Sequence, residues 1–147
     1  MNLYREWQLE WESESQTANW TKKLIKNLES WCIRSYGELN YSLTQILTGH
    51  GCFKEYLQRF QLVENNSCPY CGDVDTAEHT VFVCTRWSDA RELAATALGV
   101  TITPENMIEL MLSSEEQWRV INTMAQTIIL TKEKEEREAR NEDTEDV

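Results

Sequence analysis

Proline and glycine are scarce in this chain, at two and five among 147 residues. Short-stranded β folds spend such residues at every turn. Their scarcity, beside many Leu, Glu, Lys and Gln, therefore points to helices. Positive charge is also in short supply: the formal net charge is −11, and only residues 21–40 are net basic, with four Lys/Arg against two Glu. Most affinity for nucleic acid comes from neutralising phosphates, so this balance opposes strong, independent binding to it. It equally opposes attraction to an anionic membrane surface. The start, MNLYREWQLEWESES, lacks the apolar run after a basic stretch that marks a secretory signal. No segment approaches the ~20 apolar residues of a membrane span. The expectation is a chain of the cytoplasm or nucleus with no membrane partner. Those compartments are reducing, and cysteines there serve more often as metal ligands than as disulfides.

What the chain does have is apolar content of 41% with six Trp, enough for a packed core. Leu3, Trp7 and Trp11 recur at helical spacing. A longer helix is expected from Asn19 or Thr21 to Gly37, with Trp20, Leu24, Leu28, Trp31 and Cys32 on one face. Leu39, Leu43, Ile46 and Leu47, then Phe53, Tyr56, Leu57 and Phe60, flank the turn at Gly49-His50-Gly51 and predict a helical hairpin. A further helix is expected from about Arg86 to Leu98, closed by Gly99. Thr103-Pro104-Glu105 signals another helix start, and Ser113 with Glu116 or Ser114 with Gln117 a capping box. The last helix carries Trp118, Ile121, Ala125, Ile128 and Ile129. Beyond Leu130 the apolar stripe stops, which predicts a solvated extension fraying into a disordered acidic tail. The expected organisation is a helical segment over 1–63, a Cys/His knot with its following helix over 64–98, helices over 99–130 and the tail over 131–147. The fold class is mainly α, a small helical domain with a short irregular zinc knot.

The knot is the stretch CPYCGDVDTAEHTVFVC, residues 68–84. Cys68, Cys71, His79 and Cys84 follow the pattern C-x2-C-x7-H-x4-C. A tight turn through Pro69 and Gly72 lets the first two sulfurs point inward together. Four N/S donors suit tetrahedral Zn²⁺, and a closed Cys3His set leaves no position for a catalytic water, so the ion is expected to be structural. Disulfides, or isolated core cysteines beside a surface histidine, are the alternatives; an odd count of five cysteines fits a disulfide framework poorly. His79 and Cys84 stand five residues apart, about 140° around an α-helix, so the helix must end or tighten before Cys84.

Other chemistry is thinly represented. His50 and Cys52 could pair as base and nucleophile, but no motif supplies an orienting third group or an oxyanion site, and a glycine-flanked turn is the plainer expectation. No phosphate-binding glycine loop or nucleophile elbow is present. Lys22, Lys23, Lys26 and Arg34, with Arg86 and Arg91 beside the knot, are the candidate phosphate contacts; a solvated polar face is the alternative. The tryptophans at helical spacing read as core or as an interface for protein.

Three segments, WTKKLIKNLESW, GELNYSLTQILTGHGCFKEYLQRF and CPYCGDVDTAEHTVFVCTRW, together resemble the C-terminal end of the polyproteins of non-LTR (LINE-like) retrotransposons. The resemblance covers roughly residues 3 to 98. It implies the region that follows a reverse transcriptase, with a Cys-Cys-His-Cys zinc knuckle that contacts nucleic acid. The family's ligands carry over onto Cys68, Cys71, His79 and Cys84. Departures are Ala18-Asn19 where the family tends to have Gly-Arg, Lys26 for Pro, Gln61 for Gly and Thr85 for Pro. The polymerase's paired aspartates are missing, so nothing here holds the Mg²⁺ ions of nucleotidyl transfer. The resulting expectation is a non-catalytic zinc-binding module with an accessory role at RNA or DNA. The alternatives are a zinc-stabilised protein-interaction module acting through the Trp-rich helices, or a non-functional transposon relic.

Overall fold

The computed structural model describes residues 3–13 and 18–145, with side chains to residue 141. The chain is mainly helical, as its composition predicts. α1 spans Leu3–Trp11, α2 Asn19–Leu24, α3 Leu28–Cys32, α4 Tyr41–Thr48 and α5 Lys54–Arg59. After the knot come α6 (Ser88–Leu98), α7 (Met107–Ser113) and the long α8 (Glu115–Glu145). α8 is the spine: α4, α6, α7 and the end of the knot all pack on it. Its buried stripe of Trp118, Ile121, Ala125, Ile128 and Ile129 meets Leu43, Ile46, Phe53, Val81, Met107 and Met111 in one core.

The helix expected from Asn19 to Gly37 is two. Ile25 is extended, and Asn27 turns its side chain to accept from Ser30 N at 2.9 Å, starting α3 afresh. The break costs little because α1 satisfies its backbone groups. Trp11 Nε1 donates to Ile25 O, Gln8 Nε2 donates to Lys26 O at 2.6 Å, and Gln8 Oε1 accepts from Leu28 N at 2.9 Å. α4 matches its expected stripe at Leu43, Ile46 and Leu47, while Leu39 precedes the helix and is exposed; Asn40 is the N-cap and Gly49 lies beyond the C-terminus. It packs on α2 and α8, in place of a hairpin with α5.

Near the N-terminus of α8 an aromatic cluster joins α3 and the segment after it to α8. Trp31 and Trp118 stack with centroids 5.6 Å apart, Tyr36 meets Trp118 edge-on, and Arg34 lies 4.3 Å over the Trp31 ring. Gly37, at φ +87°, backs directly onto this cluster; a Cβ there would lie 2.5 Å from the Trp118 ring. Ser114 supplies the α8 cap, accepting from Gln117 N at 3.1 Å, while Ser113 bonds back to Glu109 O. Thr103 and Asn106 cap each other's backbone N–H groups, and α7 begins after them, three residues beyond Pro104.

The expected tail does not separate at residue 131. α8 continues as one helix through Glu145, and Lys132 is among the most buried side chains of the protein. The sequence from Thr131 is rich in strong helix formers, and Lys134–Glu138 stands at the i,i+4 spacing that supports a solvated helix. Residues 146 and 147 of the expected tail lie outside the described residues.

Candidate metal centre

The knot is built by backbone hydrogen bonds before any ligand is considered. Gly72 N donates to Cys68 O at 2.9 Å, closing the turn that turns Cys68 and Cys71 toward one point. Cys68 N donates to Asp73 O, and Asp75 N to Asn66 O at 2.7 Å, around an antiparallel bridge between Ser67 and Val74. Thr76 then accepts from His79 N at 3.0 Å as the cap of the next helical turn.

That turn resolves the angular conflict between His79 and Cys84. From His79 to Val83 the chain forms a π-helical turn, and Cys84 N donates to His79 O at 2.7 Å, five residues back. A sixth residue in the loop of the hydrogen bond returns Cys84 to the side of the helix that His79 occupies. Of the two expected outcomes, the helix does end before Cys84, at Val83, but its last turn widens and does not tighten. Arg91, from α6, supplies the missing donors for the open carbonyls. Its guanidinium reaches Cys84 O at 2.6 Å, Val81 O at 3.3 Å and Thr80 O at 3.4 Å.

The four donor atoms of Cys68, Cys71, His79 and Cys84 all lie within 4.8 Å of one another. Cys84 Sγ is 3.8 Å from Cys68 Sγ and 3.4 Å from Cys71 Sγ. A tetrahedron with 2.3 Å metal–sulfur bonds has sulfur edges of about 3.8 Å. None of the five cysteines is disulfide-bonded in this structure, and the sulfur separations exceed the S–S bond length of about 2.05 Å. His79 is buried, and its Nε2 has no hydrogen-bond partner. An unpaired buried nitrogen is costly, and a cation among these donors would satisfy it. Burial pushes the Cys84 thiol up to about 12. The neighbouring Cys71 is lowered by its contact with Cys84 and by the backbone of Thr85. The group is thus a nearly closed donor set able to hold a metal ion, with Cys71 on its solvent side.

A second polar centre lies just behind it, and sequence reasoning missed it. Asp75, 0% exposed, accepts from Lys132 Nζ at 3.0 Å, from Lys54 N at 3.0 Å and from Thr80 Oγ1 at 3.2 Å. Lys132 also donates to Cys52 O and to Glu136 Oε1, each at 2.6 Å. Burial works against the Lys132 ammonium, but Asp75 and Glu136 outweigh it and raise its pKa above the ordinary lysine value. The sequence did carry a signal. Trp118, Ile121, Ala125, Ile128 and Lys132 keep the helical 3-4-3-4 spacing, so Lys132 occupies the next position of the buried stripe.

The expected phosphate contacts are scattered, and several are engaged. Lys22 lies over the Trp11 ring, Lys23 pairs with Glu78 at 3.1 Å, and Arg34 is held by the aromatic cluster and the carbonyl of Trp31. Arg86 pairs with Glu135, Arg91 caps the π-turn, and Lys26 is exposed. At the glycine-flanked turn His50 stacks on Tyr56, 4.4 Å between centroids, while Cys52 is buried with its thiol pushed up to about 12. A thiol so hard to ionise is a poor nucleophile.

With this geometry in view, the chain's likeness to known proteins is informative. It is 30% identical over 115 residues to a retrovirus-related Pol polyprotein from a type-1 retrotransposable element R1 of Nasonia vitripennis, covering 74% of this chain and 28% of that protein. It is 44% identical over 48 residues to the corresponding R1 polyprotein of Popillia japonica, covering 32% and 20%. A protein of the Drosophila melanogaster element R1DM matches at 27% over 134 residues, covering 87% of this chain and 12% of that protein. The chain thus spans at most 28% of the length of these relatives. No protein-family model and no solved structure matches it. Among the described residues no helix is long and apolar enough to cross a membrane. These matches make the chain a non-LTR retrotransposon-related region, similar to part of the R1 Pol polyproteins.

Proposed function

We propose that the knot holds one structural Zn²⁺ and that the domain is a non-catalytic accessory module of a retrotransposon polyprotein, meeting RNA or DNA in a reducing compartment. The observation that carries this reading is the donor set itself: three sulfurs and an imidazole nitrogen within 4.8 Å of one another, with a buried, unpartnered His79 Nε2. Sulfur-rich sets favour zinc over Mg²⁺ or Ca²⁺, which take oxygen ligands. With all four positions supplied by protein, no site remains for an activated water, and a structural role follows. The nucleic-acid role is supported by the Pol polyprotein relatives and by the resemblance to a reverse transcriptase C-terminus.

One observation favours the protein-interaction reading: Lys23 and Arg86 are already paired with carboxylates, on a chain of net charge −11. Two measurements separate the readings. Native mass spectrometry is expected to find one zinc per chain, lost in Cys84→Ser. Fluorescence anisotropy with labelled RNA, titrated in salt, is expected to give weak binding whose logarithm falls linearly with log salt. Absence of binding below about 100 μM at low salt, the weak end of non-specific affinity, moves the protein-interaction reading to first place.

A further inference from the structure

At the edge of the knot, Tyr70 and Arg86 form a two-point clasp for an anion. Tyr70 sits between Cys68 and Cys71, and Arg86 follows Cys84 by two residues, so the turns that close the knot place both. Trp87 is the buried floor. Its ring lies 4.4 Å from the Arg86 guanidinium carbon and meets Tyr70 edge-on at 5.9 Å. The guanidinium carbon also lies 5.7 Å from the Tyr70 ring centroid, so two aromatic faces attract the cation.

The clasp is filled from within. Glu135 of α8 accepts from the Tyr70 hydroxyl on one carboxylate oxygen and from the Arg86 guanidinium on the other. Its neighbours are committed elsewhere: Glu136 to Lys132, and Glu133 to Tyr41 and Gln45. The Lys132–Asp75 pair, three residues before Glu135, locks α8 against the knot and delivers Glu135 to the clasp. Both side chains of the outer pair remain partly open to solvent, at 37% for Arg86 and 27% for Glu135. Exchange of the bound carboxylate therefore needs a side-chain rotation and no unfolding.

We propose that Glu135 is an internal competitor: its carboxylate stands in for a phosphodiester of nucleic acid, which binds Tyr70 and Arg86 when Glu135 swings out. Guanidinium and hydroxyl donors recognise two oxygens of a carboxylate or a phosphate alike. This inference rests on the accessory nucleic-acid reading and adds self-occlusion to it.

The test uses the zinc-loaded full chain and a fluorescein-labelled 20-nucleotide oligouridine, read by anisotropy across salt concentrations. Glu135→Ala is expected to bind about ten-fold tighter than wild type, with a log–log salt slope steeper by about 1 for the added phosphate contact. Glu135→Gln, which keeps the side-chain shape, is expected to move the same way and serves if the alanine variant loses zinc. Adding Arg86→Gln is expected to return affinity and slope to wild type or below. If wild type binds with salt dependence and both Glu135 variants match it, the clasp is overturned and the accessory reading stands. If the double variant binds as tightly as Glu135→Ala, general relief of acidic repulsion is the cause and the clasp is again overturned. If no variant binds below about 100 μM, both readings fall together.

Discussion

Lys132 and Asp75 are, among the described residues, the ion pair with both side chains fully buried. An ammonium and a carboxylate, 1% and 0% exposed, have left water, and only their mutual contact and the surrounding hydrogen bonds offset that cost. Removing one partner strands the other. Asp75→Asn is expected to destabilise the fold by about 3–5 kcal/mol, a fall in Tm of about 10 °C for a chain of this size. Lys132→Met combined with Asp75→Asn is expected to cost less than the sum of the two single changes, because the double variant buries no lone charge. A thermal-denaturation cycle on the four proteins checks this; strict additivity would mean that the pair does not couple. The pH direction also follows. Lys132 has a folded pKa above its unfolded one, so its contribution is complete below the ordinary lysine value and fades as pH rises through the higher folded value. At this scale the sequence was legible for the metal donors, whose types and spacing are informative in themselves. It was not legible for Asp75, because one aspartate in a polar loop looks like any other until its burial is known. Lys132 was overlooked for a different reason: its charge outweighed its position on the apolar stripe.

Elements were legible where one local signal decided them. The stripe from Trp118 to Ile129, the turn at Gly49 and the closure at Gly99 all match. The break at Ile25 was not legible, since it depends on Gln8 and Trp11 of a separate helix supplying hydrogen bonds. The π-turn lay between: the spacing of His79 and Cys84 demanded some irregularity, but two kinds could meet it. A π-turn amounts to one residue inserted in an α-helix. Deleting Val83, whose side chain is exposed, should convert the turn to an α-turn and leave His79 and Cys84 four residues apart, on one face. The deletion variant is expected to retain one metal per chain in native mass spectrometry. Inserting an alanine between Val83 and Cys84 should rotate the thiol away by ~100° and abolish binding. Loss of metal in the deletion variant would show that the π geometry itself is required, beyond the facing it provides.

Across the whole molecule the metal knot and α8 are mutually dependent. α8 carries the core stripe, yet beyond Leu130 its hold on the body includes Lys132 to Asp75 and Cys52, and Glu135 to Tyr70 and Arg86. Asp75, Tyr70 and Arg86 all belong to the knot or its edge. A metal that orders the knot therefore stabilises the spine as well, against the self-repulsion of a chain with net charge −11. Metal at a thousand-fold excess over its dissociation constant adds about 4 kcal/mol, or roughly 10 °C in Tm for a domain of this size. Because the ligands must be deprotonated, the increment should shrink as pH falls from neutrality. Thiol reactivity reads the same coupling without heating. In the zinc-loaded protein only Cys32 is both exposed and outside the donor set, and Cys52 is shielded by burial with its thiol pushed up to about 12. Ellman's reagent at neutral pH should therefore titrate one cysteine quickly. After chelation the exposed Cys71 should join it first, and the buried Cys68 and Cys84 as the knot opens, giving four. Cys52 should follow only as the knot lets go of Lys132 and the carbonyl of Cys52 loses its partner. A fast count of four before chelation would mean that the cluster holds no metal. A fifth fast thiol immediately on chelation would mean that the body cannot outlast the knot.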